Sequence, residues 1–260
     1  MQTKARVNYH VKKNIPQAFV LDGDGMSGQL IAPELASTEV QVDDLRSSHK
    51  PLNFNDDGVS FVTSPTKVSR FSEGENWREP YEAELINLLK QTIGAKEVIV
   101  FDHTVRVDEP EATRRPARNV HNDFTHASAE QRLDELLGEA RAEDFRKGKF
   151  GFVNVWRPIE TVVKSSPLGF IKPASMQAGD WMDINVVYPD RVGQVLGVAA
   201  NDRHEWFYQS EMTPEEAIIF NIYDNQDRPH IAHSALDILS ESDVSTPRKS
   251  IESRSLVRYE

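Results

Sequence analysis

The chain has 260 residues, 27% of them charged, with a formal net charge of -11 and no cysteine. The lack of cysteine excludes disulfides, thiolate metal sites and cysteine nucleophiles, so any metal must be held by His, Asp or Glu. The acidic balance argues against nucleic acid or an anionic membrane as a main partner, because phosphate contacts need clustered Lys and Arg. No apolar run approaches the roughly 20 residues that span a bilayer, and no secretory signal pattern opens the chain. We therefore expect a globular, cytoplasmic protein.

Short strands separated by turns recur along the whole chain. In the first half the predicted strands are 7–11, 18–21, 39–42, 59–62 and 97–101. In the second half they are 151–158, 167–170, 184–188, 195–198, 205–208, 217–223 and 250–259. A glycine-rich loop over 23–36 separates the second strand from the third. This pattern is typical of a mainly β protein.

Two helices are predicted between these strands. The clearer one opens at Glu79-Pro80, because proline is favoured in the first helical turn, and closes at Gly94. Its apolar residues fall near one face: Tyr81, Leu85, Leu88, Leu89 and Ile93. The second helix follows Thr125, with Ser128 predicted as its N-cap and three leucines spaced for one face.

No internal repeat or low-complexity linker divides the chain, so residues 1–260 are predicted to form one domain. Many short strands with flanking helices indicate an α+β, mainly β fold with a double-sheet jelly-roll core. We expect residues 1–95 to supply strands and a helix that pack on this core. We expect residues 96–260 to form the core itself and to carry the functional site.

The segment His121-Asn122-Asp123 is a candidate metal motif. On an extended strand alternate side chains point to the same face, so His121 and Asp123 project together. An imidazole beside a carboxylate supplies two of the three ligands of the 2-His-1-carboxylate facial triad, which leaves positions open on Fe(II) for a co-substrate and dioxygen. A His-x-Asp alone occurs by chance in many chains, so the prediction depends on a third ligand.

The third ligand is expected on a later strand, within the segment 227–233. His230 and His233 both qualify by position, and because they are three residues apart an extended strand would turn them to opposite sides. We favour His230, since it follows a proline that fixes the direction of the chain. His233 remains an alternative from its spacing alone. For any single histidine, a surface or hydrogen-bonded role is the commoner one.

A candidate anion anchor lies on the last predicted strand. Arg248, Ser250 and Arg254 share one face of it, because alternate residues of a strand do so. If the metal binds a 2-oxo acid, the distal carboxylate of that acid needs a counter-charge, and a guanidinium pairs with it bidentately. A second basic run, 114–118, precedes the metal motif. It either attracts a small anion or forms a solvated turn, and the two interpretations have equal weight.

With these residues in place, the chain resembles a group of non-haem iron oxygenases that includes the fungal gibberellin desaturases and the cephamycin-pathway methoxylation component. The matching segments are 100–106, 115–125, 154–158, 206–208, 216–217, 223–224, 229–230 and 247–254. The resemblance implies a double-stranded β-helix (jelly-roll, cupin-like) core that binds Fe(II) and the co-substrate 2-oxoglutarate. It implies iron ligands at His121, Asp123 and His230. It implies that Arg248, with Ser250 or Arg254, holds 2-oxoglutarate.

The activity implied by the resemblance is oxidation of a small-molecule substrate by dioxygen, coupled to decarboxylation of 2-oxoglutarate. Hydroxylation, desaturation and cyclisation all remain open, as do the substrate and a homo-oligomeric state. Asn154 and Arg157 lie in a matching segment and either line the pocket or pack between strands, while 165–200 departs from the family pattern and is expected to shape the substrate pocket. The alternatives are a catalytically inactive metal- or small-molecule-binding jelly roll and a methyltransferase. The latter is discounted, because no convincing helix follows the glycine cluster 23–28.

Overall fold

The structure is a computed structural model, and it describes residues 2–20, 32–47, 52–71, 74–188, 192–240 and 246–260. The glycine cluster 23–28 lies outside the described residues. In chain order the strands are β1 Gln2–His10, β2 Gln17–Val20, β3 Leu35–Asp44, β4 Val59–Thr63, β5 Glu97–Val107, β6 His121–Asn122, β7 Phe150–Pro158, β8 Leu168–Ile171, β9 Trp181–Val187, β10 Val192–Val198, β11 Trp206–Tyr208, β12 Glu216–Asp224, β13 His233–Ala235, β14 Asp237–Ile238 and β15 Lys249–Arg258. The helices are α1 Phe54–Asp57, α2 Arg78–Ile93, α3 His126–Leu137 and α4 Glu139–Lys147. Single 3-10 turns lie at Leu45–Ser47, Pro173–Ser175 and Ala178–Asp180.

The described strands form two sheets. The ten-stranded sheet has the order β14-β1-β3-β11-β8-β13-β6-β10-β9-β2, and the five-stranded sheet has the order β4-β12-β7-β15-β5. The strands of the first 95 residues are hydrogen-bonded members of both sheets: β1, β2 and β3 belong to the larger one and β4 to the smaller one. The strands of the N-terminal part therefore extend the sheets themselves, and its helix α2 packs on the five-stranded sheet.

Alternation along β12 shows how the five-stranded sheet divides two cores. Ile218 and Phe220 join the cluster between the sheets, where Phe220 meets Phe170 of the larger sheet edge to face. Ala217 and Ile219 point to the other side, into the cluster that α2 covers. Successive residues of a strand face opposite sides, so one strand serves both cores. The same alternation on β7 turns Asn154 toward the interior between the sheets, and it turns its neighbours Val153 and Val155 toward α2.

The two predicted helices are confirmed, with one correction. Helix α2 ends at Gly94, whose φ of 72° is the left-handed conformation that glycine adopts without strain. Helix α3 begins one turn earlier than predicted, with Thr125 as its N-cap and Ser128 at the third helical position. The two hydroxyls form a reciprocal capping box, so Ser128 stabilises the helix start without being the cap itself. None of the described helices is both long and apolar enough to cross a membrane.

The short strand β6 is held on several sides, which fixes the metal motif. Before it, Asn8 of β1 donates its backbone N–H to the Arg118 carbonyl at 3.3 Å, and the Val120 N–H donates to the Asn8 carbonyl at 2.9 Å. Within it, residue 121 pairs with Gly197 of β10 on one side and with His233 of β13 on the other. A Cβ at Gly197 would lie 2.8 Å from the ring of His10, so glycine is required for this close packing.

Candidate metal and co-substrate site

The register of two short strands places two histidines side by side. His121 of β6 and His233 of β13 are directly opposite partners, and such partners project from the same face of a sheet. Their ring centroids are 4.4 Å apart. Asp123 follows β6 directly, and its Oδ1 lies 3.5 Å from Nε2 of His121 and 3.8 Å from Nε2 of His233. All three ligand atoms lie within 4.8 Å of one another, so one metal ion can contact all three.

In each imidazole, the nitrogen that faces away from the cluster, Nδ1, is hydrogen-bonded to a backbone carbonyl. Nδ1 of His121 lies 2.8 Å from the Asn119 carbonyl, and Nδ1 of His233 lies 3.3 Å from the Ile231 carbonyl. A carbonyl only accepts, so in both rings the proton resides on Nδ1, and the lone pair of Nε2 points into the cluster. Burial lowers the pKa of His233 to about 4, and the neighbouring His121 adds to the shift. The ring is therefore neutral, which is the form that binds a metal.

The carboxylate of Asp123 is oriented by its second oxygen. Oδ2 accepts from Nε of Arg254 and from Nδ2 of Asn154, both at 2.9 Å. Burial by itself raises the pKa of this carboxyl, but the Arg254 guanidinium and the two imidazoles outweigh it and hold the pKa well below its usual range. Asp123 is therefore an anion with one oxygen committed to the protein and the other directed at the histidines.

The prediction that favoured His230 over His233 is corrected by this geometry. His230 is exposed and contacts the ring of Trp181 at a tilt of 44°, with ring centroids 5.0 Å apart, outside the cluster. The assumption behind the prediction was an extended strand after Pro229, but β13 begins only at His233. The backbone before it is held by other bonds, such as the one from the Ile231 N–H to the Asn221 carbonyl at 3.1 Å.

The two candidate anchor arginines have different surroundings. Arg254 is paired with three carboxylates, donating to Asp123, to Asp102 at 2.6 Å and to Glu252. These carboxylates outweigh the effect of burial and raise the pKa of its guanidinium above the ordinary value. A cation with three anionic partners has little capacity left for a further carboxylate, so Arg254 organises the Asp123 side of the site.

Arg248 is instead a buried cation without such a partner. It is 2% exposed, its guanidinium donates to the Ser250 hydroxyl from two nitrogens at 3.1 Å and to the Ser166 carbonyl, and it lies over the ring of Trp156. Among the described residues no carboxylate lies within ion-pair distance of it. Burial lowers the pKa of Arg248 to about 9, with Arg106 adding to the shift, so the group is still charged at neutral pH. A buried, unpaired guanidinium is costly unless an anion joins it.

A narrow cavity connects this cation to the histidines. Its lining includes His121, His233, Arg248 and Glu252. The cavity is small, about 10 Å³, so a dicarboxylate with one end at the metal ligands and the other at the guanidinium enters only if the lining side chains move apart. The donor set and the buried cation therefore fit a metal with a 2-oxo acid.

Comparisons with known proteins agree with this chemistry. A family model described as YDMC: Oxidoreductase/YMDC permease-like domain matches residues 8–258. The hydroxylase/desaturase efuI of Hormonema carpetanum is 34% identical over 251 residues, which cover 85% of this chain and 83% of that protein. The chain belongs to this oxidoreductase family. The α-ketoglutarate-dependent dioxygenase tstK of Talaromyces stipitatus is 27% identical over 281 residues, covering 97% of this chain and 99% of that protein.

A solved structure of similar fold is that of the iron and α-ketoglutarate-dependent endoperoxidase NvfI. The dioxygenase nvfI is a protein of Aspergillus novofumigatus. The NvfI structure superposes on this oxidoreductase with a TM-score of 0.87, covering 99% of this chain and 98% of that one, at 22% sequence identity. At this identity the likeness concerns the fold, and it confirms the predicted double-stranded β-helix (jelly-roll) core.

A second, larger cavity of about 400 Å³ opens on the other side of Asp123 in this oxidoreductase. Its apolar wall comes from Phe101, Phe124, Val186 and Val195, and several arginines and acids complete it. The segment predicted to shape a substrate pocket, 165–200, contributes through β9 and β10. Of the three residues of the metal cluster, Asp123 is the one that lines this cavity.

Of the two residues singled out in the segment 154–158, one reaches the metal cluster and the other does not. Asn154 contacts Asp123, whereas Arg157 is buried against Tyr81 on the α2 side and donates to the Ser64 carbonyl. Two further histidines lie near the motif in the chain and do not reach the ligands: His103 bonds Ser253, and His126 bonds Tyr223. The role of Asp102 as a partner of Arg254 was missed, since its position depends on the pairing of β5 with β15.

Proposed function

We propose that this oxidoreductase is an Fe(II)- and 2-oxoglutarate-dependent oxygenase that uses dioxygen to oxidise a C–H bond of a small molecule. The observation that carries the proposal is the pairing of two features in one narrow cavity. One is a two-histidine, one-carboxylate cluster, and the other is a buried arginine without a carboxylate partner among the described residues. Relatives are named α-ketoglutarate-dependent dioxygenases and a hydroxylase/desaturase, which supports the same activity.

The iron ligands in this proposal are His121, Asp123 and His233. Nitrogen and oxygen donors on one face of an ion, with the remaining positions open, are typical of non-haem Fe(II). The Nδ1 protons on backbone carbonyls fix both imidazoles for binding through Nε2, and Arg254 keeps Asp123 monodentate by occupying Oδ2. His230 takes no part.

The co-substrate anchor in this proposal is Arg248, supported by Ser250, and Arg254 is excluded from that role by its three carboxylates. The Ser250 hydroxyl orients the guanidinium through two hydrogen bonds, and the Trp156 ring fixes its plane. When bound, iron and 2-oxoglutarate supply the oxidant for the C–H bond. The chain contributes the ligand geometry, the charge at Arg248 and a walled cavity that places one substrate C–H beside Asp123.

We further propose that the protein is of the gibberellin desaturase and cephamycin methoxylation type, that residues 1–260 form a single domain, and that the protein is cytoplasmic. Whether the outcome is hydroxylation, desaturation or cyclisation is decided by where the substrate lies in the larger cavity. The relatives' names include more than one of these outcomes, so the family does not choose among them.

The direct test is 2-oxoglutarate consumption. Purified protein with Fe(II), ascorbate and 2-oxoglutarate in air should form succinate, and replacement of Fe(II) by Zn(II) should stop it. Without oxygen, adding 2-oxoglutarate to the Fe(II) protein should produce the weak visible charge-transfer band of the chelate, and the Zn(II) protein should stay colourless. Absence of both succinate and the band in the Fe(II) protein would remove the oxygenase proposal.

A further inference from the structure

We infer that the substrate carries a carboxylate, and that Arg106 and Arg114 hold it on the wall of the 400 Å³ cavity beside Asp123. The inference rests on the proposed function and adds to it a substrate class, an apolar body with an acidic group. It follows from the charge balance of the cavity wall, where four arginines are present and only two are neutralised by acids. The four are Arg106, Arg114, Arg132 and Arg254.

Two of the four are accounted for by the protein itself. Arg254 is surrounded by three carboxylates, as described above. Arg132 pairs with Glu135 at 2.9 Å and lies over the ring of Phe101 at 5.0 Å. Both partners of Arg132 line the same cavity. Neither arginine has a free charge to offer a ligand.

The other two have no acidic partner among the described residues. The guanidinium of Arg106 makes one hydrogen bond, from Nη1 to the Arg115 carbonyl at 2.9 Å, and this neutral acceptor leaves its charge uncompensated. Arg114 is exposed and its guanidinium makes no ion pair in the described part of the chain. Its backbone carbonyl accepts from the Val107 N–H at 3.0 Å, which holds it next to the end of β5 and so next to Arg106.

Two guanidinium groups in the lining of one cavity match a carboxylate. Each offers planar N–H donors that pair with the two carboxylate oxygens, and charge-assisted bonds of this kind are stronger than neutral ones. The protein as a whole has a net charge of -11, so an acidic substrate is repelled at long range unless local cations attract it. The lining also includes apolar side chains, among them Phe101, Phe124, Val186 and Val195. The occupant that satisfies both kinds of lining residue is an amphiphilic acid.

This assignment accounts for part of the basic run 114–118. Arg118 pairs with Asp108 and Asp237 and so stabilises the connection before β6. Arg115 is exposed, lies 3.9 Å from Asp108 and does not line the cavity. Only Arg114 of the three reaches the cavity, which makes Arg115 a control one residue away.

Arg106 also lines the narrow cavity of Arg248, so its replacement alone would not separate substrate binding from co-substrate binding. Arg114 lines only the larger cavity. A loss confined to the substrate in the Arg114 variant, with 2-oxoglutarate binding intact, therefore reports on this inference and leaves the proposed function untouched.

The experiment uses the Fe(II)·2-oxoglutarate protein without oxygen and about twenty rigid apolar carboxylic acids, such as 1-adamantanecarboxylate, each with its primary amide. Binding is measured by the shift of the visible band and by tryptophan fluorescence. The wild type should bind at least one acid about tenfold or more tightly than its amide. Arg114→Gln and Arg106→Gln should each remove that preference, whereas Arg115→Gln should keep it.

Two results would overturn the inference. One is a wild type that prefers no acid of the panel over its amide, and the other is a preference that survives in Arg114→Gln. If the band itself is lost in wild type, the proposed function fails instead, which keeps the two failures distinct. Retention of the band by Arg114→Gln shows that this variant is folded and loaded.

Discussion

Nε of Arg254 lies 2.9 Å from Oδ2 of Asp123, while Oδ1 of the same carboxylate lies 3.5 Å from Nε2 of His121. The two oxygens therefore have different partners: one faces an arginine on β15, and the other faces the histidine cluster. Asn154 adds a second donor to the arginine side. This division of one carboxylate between two neighbours sets the direction in which the metal is held.

Substitutions that weaken the contacts of Arg254 and Asn154 with Oδ2 of Asp123 should lower metal affinity without removing a ligand. Arg254→Lys keeps the charge but loses the planar donor, and Asn154→Leu removes one hydrogen bond at nearly constant size. We expect Fe(II) affinity to fall by about 10- to 100-fold in each, the usual cost of losing an outer contact to a metal ligand. Anaerobic Fe(II) titration by calorimetry measures it. Arg258→Lys, on the same strand but paired with Asp144, is the control and should bind iron normally.

Replacing each of the two anchor candidates by methionine should affect the free energy of unfolding differently. Arg248→Met removes a buried cation that lacks a carboxylate, so we expect unfolding free energy without ligand to be unchanged or higher. Arg254→Met leaves Asp102, Asp123 and Glu252 without their common partner, and we expect a loss of about 3–5 kcal/mol. Urea denaturation of the metal-free proteins measures both. Equal destabilisation by the two changes would contradict the charge assignment.

The same Arg248→Met variant should lose 2-oxoglutarate. Truncating one side of a buried charge pair costs about 2–5 kcal/mol, so we expect the dissociation constant of 2-oxoglutarate to rise by about 30-fold or more. Fe(II) affinity should stay within a factor of about three, because Arg248 contacts none of the three ligands. A variant that binds 2-oxoglutarate as tightly as the wild type would exclude Arg248 as the anchor.

The buried His10 predicts a pH dependence of stability. Burial, with a smaller contribution from His121, lowers the pKa of His10 from 6.5 to about 4. The unfolded chain therefore binds more protons between these values, and the contribution of the neutral ring to stability is complete above pH 6.5 and is lost as the pH falls toward 4. Lowering the pH from 8 to 5 should therefore reduce the free energy of unfolding by about 1–2 kcal/mol through the titration of His10.

The variant His10→Phe removes that titration, and phenylalanine can keep the edge-to-face contact with Phe19. Urea denaturation at pH 8 and pH 5 should show a smaller pH-induced loss in the variant than in the wild type. The comparison concerns the change with pH, so a uniform destabilisation of the variant does not disturb it. The same loss in both proteins would show that the group does not titrate as predicted.

The local half of the site could be predicted from the sequence, and the non-local half could not. His121 and Asp123 are two residues apart, so their proximity depends only on a short extended backbone. The third ligand depends on where β13 begins and on its register against β6, which pairs positions 121 and 233. Pro229 restricts the backbone before His230, but no strand begins there, because β13 begins at His233. The predicted position of His230 in the cluster therefore does not match the structure.

The arginine assignment shows the same limit. Arg254 lies on β15 and Arg248 directly precedes that strand, at the even spacing that alternation predicts for one face. What separates them is that Arg254 meets Asp102 of β5 and Asp123 after β6, and neither neighbour can be placed without the sheet order. The mainly β character and the main helix α2 were predictable, because alternation, turn residues and a closing glycine are local signals.

The central claim is that His233, and not His230, completes the iron site with His121 and Asp123. The most direct measurement is the anaerobic Fe(II)·2-oxoglutarate band in His233→Ala and His230→Ala, with iron content determined on the same samples. We predict that His233→Ala loses the band and most of its iron, while His230→Ala keeps both at wild-type level. Loss of the band in His230→Ala with its retention in His233→Ala would contradict the account.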